Sequence, residues 1–404
     1  MSVSRPEFVK LTGHKNFTQR LVLSTLTGRP LHISKIRSNS PTSPGLAPHE
    51  VSLLRLLEAV TNGSTMQISY TGTTITYQPG LITGAVAGFG AGDGDIIEHN
   101  IPATCTRGIT YFLLPLCLLA PFSKAHMNVR FSGPGVITAA TETGDLSVDS
   151  FRTAILPLYD LFGIPAIRIE LRVLQRSCMG QRGSGGAGIV ELRFASQVRL
   201  PKTLHLHRNP GRIKRIRGVA YATGVSASNN ARMIYSAREV LNSLCADIHI
   251  ASQYDQAPLV DDLKAGGKKR MGIGFGLSLV AESNITGILF SADSVVPAKG
   301  GTVPEDIGKR CAYQLLESIS QGGCVSRAAA PTVLMLMAMG SEDVGRLRLG
   351  REVIGREEII ELARDLKKFG ASSWGLRDID EDDTEDIIIA VKGSGLGNVS
   401  RKVA

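Results

Sequence analysis

Aromatic residues are scarce: Phe, Tyr and Trp make up 5% of the 404 residues, and there is one tryptophan. Stacking on aromatic platforms is therefore a poor candidate for the main grip on single-stranded bases. Cysteine is sparse as well. Cys105, Cys117, Cys178, Cys245, Cys311 and Cys324 are scattered without CxxC spacing, which argues against a zinc site or a disulfide framework and fits a reducing compartment. Residues 1–13 contain no apolar core for a signal peptide. The most apolar stretch, residues 111–122, is too short to span a bilayer and contains Pro115. No membrane partner is expected. Histidine is missing from the last 155 residues: His14, His32, His49, His99, His126, His205, His207 and His249 all precede Ile250.

What is present reads as a globular protein, 43% hydrophobic and 20% charged, with a net charge of +9. The length exceeds one ordinary core, so two domains or several repeats are expected. The basic balance favours a polyanion partner.

The chain alternates helix, glycine turn and strand. Helical spacing over 19–27 ends at Gly28, a good residue just past a helix, and 31–36 alternates as a half-buried strand does. A second helix spans 50–60, and a hairpin follows over 66–70 and 74–77. The pattern returns with a helix over 108–119, a strand over 127–131, a helix over 151–161 closed by Gly163, and strands over 166–174 and 189–194. A different module follows: strand 218–223, helix 229–244, strand 247–251, a loop over 253–272 and a hairpin over 276–281 and 286–291. Helices over 305–320 and 357–369, a buried apolar run over 331–339 and a strand over 387–391 resume the first design. The expected fold is α/β (α+β): three repeats of a two-helix, four-stranded-sheet unit at 1–95, 96–194 and 292–404, with a small α/β domain inserted at 195–291.

Several strings carry a resemblance. They include Leu23-Ser24-Thr25-Leu26-Thr27-Gly28-Arg29-Pro30, Ile36-Arg37 with Pro44-Gly45-Leu46, and Arg182-Gly183-Ser184-Gly185-Gly186-Ala187-Gly188. Together they resemble the RNA 3′-terminal phosphate cyclase family. The nucleolar, cyclase-like branch is resembled more closely, through Val60-Thr61-Asn62-Gly63-Ser64, Gly211-Arg212-Ile213-Lys214-Arg215-Ile216-Arg217-Gly218, Gly274-Phe275-Gly276-Leu277-Ser278 and Gly345-Arg346-Leu347-Arg348. The resemblance implies a three-repeat core with one insert. It also implies a non-cyclising factor of small (40S) ribosomal subunit assembly, acting in the nucleus and nucleolus on early processing of the 18S precursor. Its implied partners are a large GTPase of the processome and pre-rRNA, with no cofactor and no small-molecule substrate.

Three departures from active cyclases follow. A glycine-rich turn before the first helix is replaced by His14-Lys15-Asn16-Phe17-Thr18-Gln19, which brings fewer amides close to a phosphate. The signature around Arg182–Gly188 has no proline and an altered length. The C-terminal histidine nucleophile is absent, and residues 340–356 offer Arg346, Arg348 and Arg351 instead. Arginine stays protonated and cannot take AMP from ATP, although it can hold a phosphate. Cyclase catalysis is therefore not expected; adenylyl transfer through His14 or His49 is a minor alternative.

Candidate sites follow from charge and glycine. The densest basic run, His205, His207, Arg208, Arg212, Lys214, Arg215 and Arg217, reads either as a phosphate-backbone contact or as a solvated linker. His205 and His207 have no third metal ligand nearby in sequence, so no metal site is assigned. Gly185 and Gly186 could cradle an anion or form a plain loop. The resemblance places Arg20 and Arg37 beside the same cleft and suggests an anion pocket with Arg346, near Arg348. On the 357–369 helix, Arg364, Asp365 and Lys367 read as a solvated face, a partner-docking surface or a phosphodiester-cleaving cluster with Asp365 as base or metal ligand. The acidic stretch 378–386 reads as a solvated loop, and Lys268-Lys269-Arg270 as a nuclear import signal or loop charges.

Overall fold

A computed structural model describes residues 7–85, 95–180, 185–195, 197–198, 200–262, 266–371, 374–379 and 385–395. The first repeat contains β1 (Val9–Thr12), α1 (Phe17–Thr27), β2 (Leu31–Ser34), α2 (Pro48–Val60), β3 (Thr65–Ile68) and β4 (Ile75–Gln78). The second contains β5 (Ile97–Asn100), α3 (Thr110–Leu119), β6 (Met127–Ser132), a helical segment, β7 (Ile169–Gln175) and β8 (Ile189–Phe194). That segment is irregular, with a π turn over Phe151–Ile155 and 3-10 turns over Leu156–Phe162. Pro157 has no N–H to give and clashes with the preceding turn, so the regular helix expected over 151–161 does not form. Gly163 closes the segment at φ +74°.

The third sheet begins with β9 (His205–Leu206), and the chain then leaves it. The insert supplies β10 (Ile213–Thr223), α4 (Ser228–Leu241), β11 (Ile248–Asp255), the hairpin β12 (Leu259–Asp262) and β13 (Gly267–Arg270), β14 (Gly274–Ser283), β15 (Leu289–Val295) and α5 (Pro304–Ser320). The chain returns with α6 (Ala330–Met339), β16 (Val344–Gly350), α7 (Glu357–Lys368), β17 (Trp374–Asp378) and β18 (Asp386–Lys392).

One pairing rule governs the three core sheets. Their orders are β1-β2-β4-β3, β5-β6-β8-β7 and β9-β16-β18-β17, each with one parallel pair followed by two antiparallel pairs. The insert's order, β11-β10-β14-β15, has the same pairing senses but different connectivity. The first helix of each repeat is buried nearly all round, including Leu21–Leu23 of α1, Leu116–Leu119 of α3 and Val333–Met339 of α6. One hydrophobic core joins the three repeats, and a second lies within the insert.

Two elements cross the expected boundaries. α5, expected in the third repeat, buries Ile307, Cys311, Ala312 and Leu315 in the insert's core. Its apolar stripe recurs at i and i+4, and that stripe faces α4 and the insert sheet. β9, expected in the insert, pairs with β16 of the third sheet through His205 opposite Arg346. The expected loop over 253–272 contains the β12–β13 hairpin, in which Asp261 lies opposite Lys268, so the basic triplet is held on a strand.

Polar contacts fasten the insert to the second repeat. Asp293 of β15 accepts the Ser147 amide at 2.9 Å and the Ser147 and Ser150 hydroxyls, each at 2.8 Å. Burial pushes the Asp293 carboxyl above its ordinary range despite those bonds. Arg176, paired with buried Asp149, stacks over the Tyr221 ring at 5.5 Å, and its amide donates to Asp255 at 2.9 Å.

Candidate functional site

A cleft of about 920 Å³ opens between the core and the insert. Its walls come from the turn before α1, the N-terminus of α2, the start of α3, α5, β15 and α7. Arg37 donates to Glu50 at 2.8 Å and to the Gly45 carbonyl at 2.7 Å. Glu50 also accepts the Ala47 amide at 2.7 Å, so the residue that caps α2 also neutralises Arg37. Arg107 Nε donates to Asp145 at 2.7 Å, and the Gly108 amide and Thr141 hydroxyl add bonds of 2.8 and 3.0 Å. Burial alone would raise the Asp145 carboxyl, but these donors outweigh it and hold the group below its ordinary range. Lys15 pairs with Glu357, and Arg327 lies 4.0 Å from Glu358.

Among the described residues, the four Lys and Arg lining the cleft therefore each face a carboxylate of the same chain. The described lining holds seven Asp and Glu against those four cations. Such a cleft repels a nucleotide's phosphates at long range.

Two histidines face the same space. His49 meets the Tyr111 ring edge-on at 5.0 Å, and burial, against the opposing pull of Glu50, pushes it down to about 4. Burial and the Arg37 charge lower His14 as well. Both rings are neutral at pH 7. Sequence reasoning named these histidines but missed Glu50, Arg107 and Asp145, whose pairings are set by tertiary approach.

The expected anion pocket is not assembled. Arg20 is 3% exposed, and its Nε donates to Asp365 at 2.7 Å while Nη1 reaches the Thr12 and Gly13 carbonyls at 3.0 and 3.1 Å. Arg348 is buried and donates to Asp386 at 2.6 Å. Asp386 thus leaves the acidic loop set; 380–384 lie outside the described residues. Arg346 is exposed on β16, outside the cleft lining. Gly185 and Gly186 are buried, and a Cβ on Gly185 would fall 1.7 Å from the Pro134 carbonyl oxygen. These glycines make room for the chain's own backbone at 134–136; Arg182, Gly183 and Ser184 lie outside the described residues.

The basic run divides. Arg215 pairs with Glu282 at 2.6 Å and Arg217 with Asp247 at 2.8 Å, both pairs near the surface. Arg212 and Lys214 are exposed and have no ion pair among the described residues. The ring centroids of His205 and His207 are 6.3 Å apart, and among the described residues no group of three His, Cys, Asp or Glu could hold a metal. On α7, Arg364 and Lys367 are exposed, but Asp365 is 1% exposed and faces inward to Arg20. The three nevertheless line one surface pocket of about 480 Å³ with Glu361 and Lys368, Asp365 being its buried member.

Comparison with known proteins agrees with this architecture. Residues 9–371 match the family described as RNA 3'-terminal phosphate cyclase. The chain is 38% identical to the rRNA processing protein RCL1 of Saccharomyces cerevisiae over 404 residues, covering 100% of each chain. It is 39% identical over 355 residues to the RNA 3'-terminal phosphate cyclase-like protein of Homo sapiens, covering 87% of this chain and 85% of that one. The rRNA processing protein rcl1 of Schizosaccharomyces pombe is 33% identical over 402 residues, covering 99% of this chain and 100% of that one. The chain belongs to the RNA 3′-terminal phosphate cyclase family, on the branch of its cyclase-like and rRNA-processing members.

Proposed function

We propose that this chain is a non-cyclising rRNA processing factor. It acts as a scaffold in the nucleolus, holding a processome GTPase and pre-rRNA during early cleavages of the 18S precursor. The observation that carries the reading is the self-neutralised cleft: each lining cation is engaged by a carboxylate of the chain. A phosphate entering there would have to displace a carboxylate already in place. The missing C-terminal histidine and the likeness to rRNA processing proteins support the same reading. Phosphodiester cleavage from α7 is the second reading: Asp365 lines one pocket with Arg364 and Lys367, but its carboxylate is already paired with Arg20.

The test is incubation of purified protein with α-labelled ATP and manganese, beside an active cyclase, followed by a denaturing gel. The expected result is unlabelled protein. A labelled band lost in His49→Gln or His14→Gln would overturn the reading and put a nucleophile in the cleft.

A further inference from the structure

The third core sheet meets the insert where β9 passes into β10. Leu206 packs against both hydrophobic cores, so this crossing is held on both sides. His205 lies opposite Arg346 in the parallel pair. The backbone beyond is pinned at each step: the Arg208 carbonyl accepts the Cys324 thiol at 3.2 Å, the Gly211 amide donates to Asn209 at 2.9 Å, and the Arg212 amide donates to Asn284 at 3.0 Å. Gly211 is required here: its φ is +75°, and a Cβ would fall 2.2 Å from the Asn284 side-chain oxygen. The β10–β14 register then shifts between Ile213 and Arg215, leaving Lys214 outside the ladder. A bulge of this kind re-aims the side chain it carries.

Four cations lie along this pinned path: Arg208, Arg212, Lys214 and Arg346. All are exposed, and none has an ion pair among the described residues. The cleft differs on this point, since every lining cation there is neutralised. Unpaired guanidinium groups on an anchored backbone suit bidentate contact with phosphate, and the ordering cost of such a contact is already met by the fold.

We propose that Arg208, Arg212, Lys214 and Arg346 form a track for the sugar–phosphate backbone of single-stranded RNA, across the seam between the third core sheet and the insert. The track deepens the rRNA-processing reading and rests on it. Arginine outnumbers lysine three to one in the set, which favours a phosphate over an acidic peptide, since a planar fork binds phosphate through two bonds. Contact is with the backbone, so the track carries little sequence preference.

The test uses the full chain and a fluorescein-labelled single-stranded oligouridylate, with anisotropy measured across a potassium chloride series. Each phosphate contact on a single strand contributes about 0.7 to the slope of log K against log salt. Replacing all four cations with alanine is expected to lower that slope by about 3. A control removing Lys10, Arg55, Arg168 and Arg238, which are exposed elsewhere, should keep the wild-type slope. Thermal melting of both variants checks that folding is intact. Equal slopes for the two variants would overturn the track, as would displacement of the RNA by poly-glutamate at equal charge concentration, which points to an acidic protein instead. Absence of RNA binding by wild type would overturn the track and the pre-rRNA part of the proposed scaffold, while the non-cyclising reading stands or falls separately on the ATP-labelling result.

Discussion

Replacing Asp365 with alanine should destabilise the core heavily, whatever it does to chemistry. The carboxylate is 1% exposed and takes two bonds from Arg20, at 2.7 Å from Nε and 3.3 Å from Nη2. Arg20 is 3% exposed, and it also donates to the Thr12 and Gly13 carbonyls. Asp365→Ala leaves a guanidinium in the interior with Nε and Nη2 unpaired, at a cost of about 3–5 kcal/mol. Against a typical stability of roughly 5–15 kcal/mol, the folded-to-unfolded ratio falls by about two to four powers of ten. Urea unfolding followed by far-UV circular dichroism measures this directly. Lys367→Ala, on the exposed face of the same helix, should stay within about 0.5 kcal/mol of wild type. Arg20→Met combined with Asp365→Leu should recover much of the loss, since it removes both charges from the interior. An Asp365→Ala protein as stable as Lys367→Ala would refute the reasoning. If the loss is as expected, a processing defect in an Asp365 variant says nothing about a nuclease.

Two further outcomes follow from burial. Gly185→Ala should cost at least about 3 kcal/mol, because its Cβ would meet the backbone of Pro134, whereas Gly300→Ala should cost only about 1–2 kcal/mol of left-handed backbone strain, as nothing lies within 4 Å of that Cβ; melting temperatures compare the two. His99 is 7% exposed, bonds to Ser52 at 3.0 Å and is pushed down to about 4 by burial. The unfolded chain then binds the extra proton between about pH 6.5 and 4, so stability falls with falling pH there by up to about 1.4 kcal/mol per unit. His99→Gln should flatten that slope in unfolding titrations, and an unchanged slope would place the ring in water.

Local signals were readable in the sequence and tertiary pairings were not. Gly28 and Gly163 both take positive φ at helix ends, as their place after an apolar run implied. The apolar run of α3 likewise announced a buried helix, and that of α6 a buried segment without a wet face. The short range of those signals explains the misses. α5 has an amphipathic stripe that suits any sheet, and only the approach of α4 decides which one it covers. Arg20 and Asp365 are 345 positions apart, and no spacing rule joins them. The glycine run is the sharpest case. Its glycines do permit close approach, but what approaches Gly185 is the chain's own Pro134 carbonyl, not a phosphate. Counting basic residues could not separate Arg212 and Lys214 from Arg215 and Arg217, because the neutralising Glu282 lies on β14 and Asp247 in the turn before β11.

The insertion point has a consequence for synthesis. β9 leaves the ribosome ahead of the whole insert, and its only partner, β16, begins at Val344. At 5–20 residues per second, the intervening chain takes roughly 7–30 s to appear. The first two sheets can close during that interval, but the central helices must wait for the C-terminal ones, α3 for α6 and α1 for α7. A growing chain therefore carries a wide apolar face until its last quarter emerges. That interval is when a chaperone has most to shield, and chains cut short before α6 would expose the same face permanently.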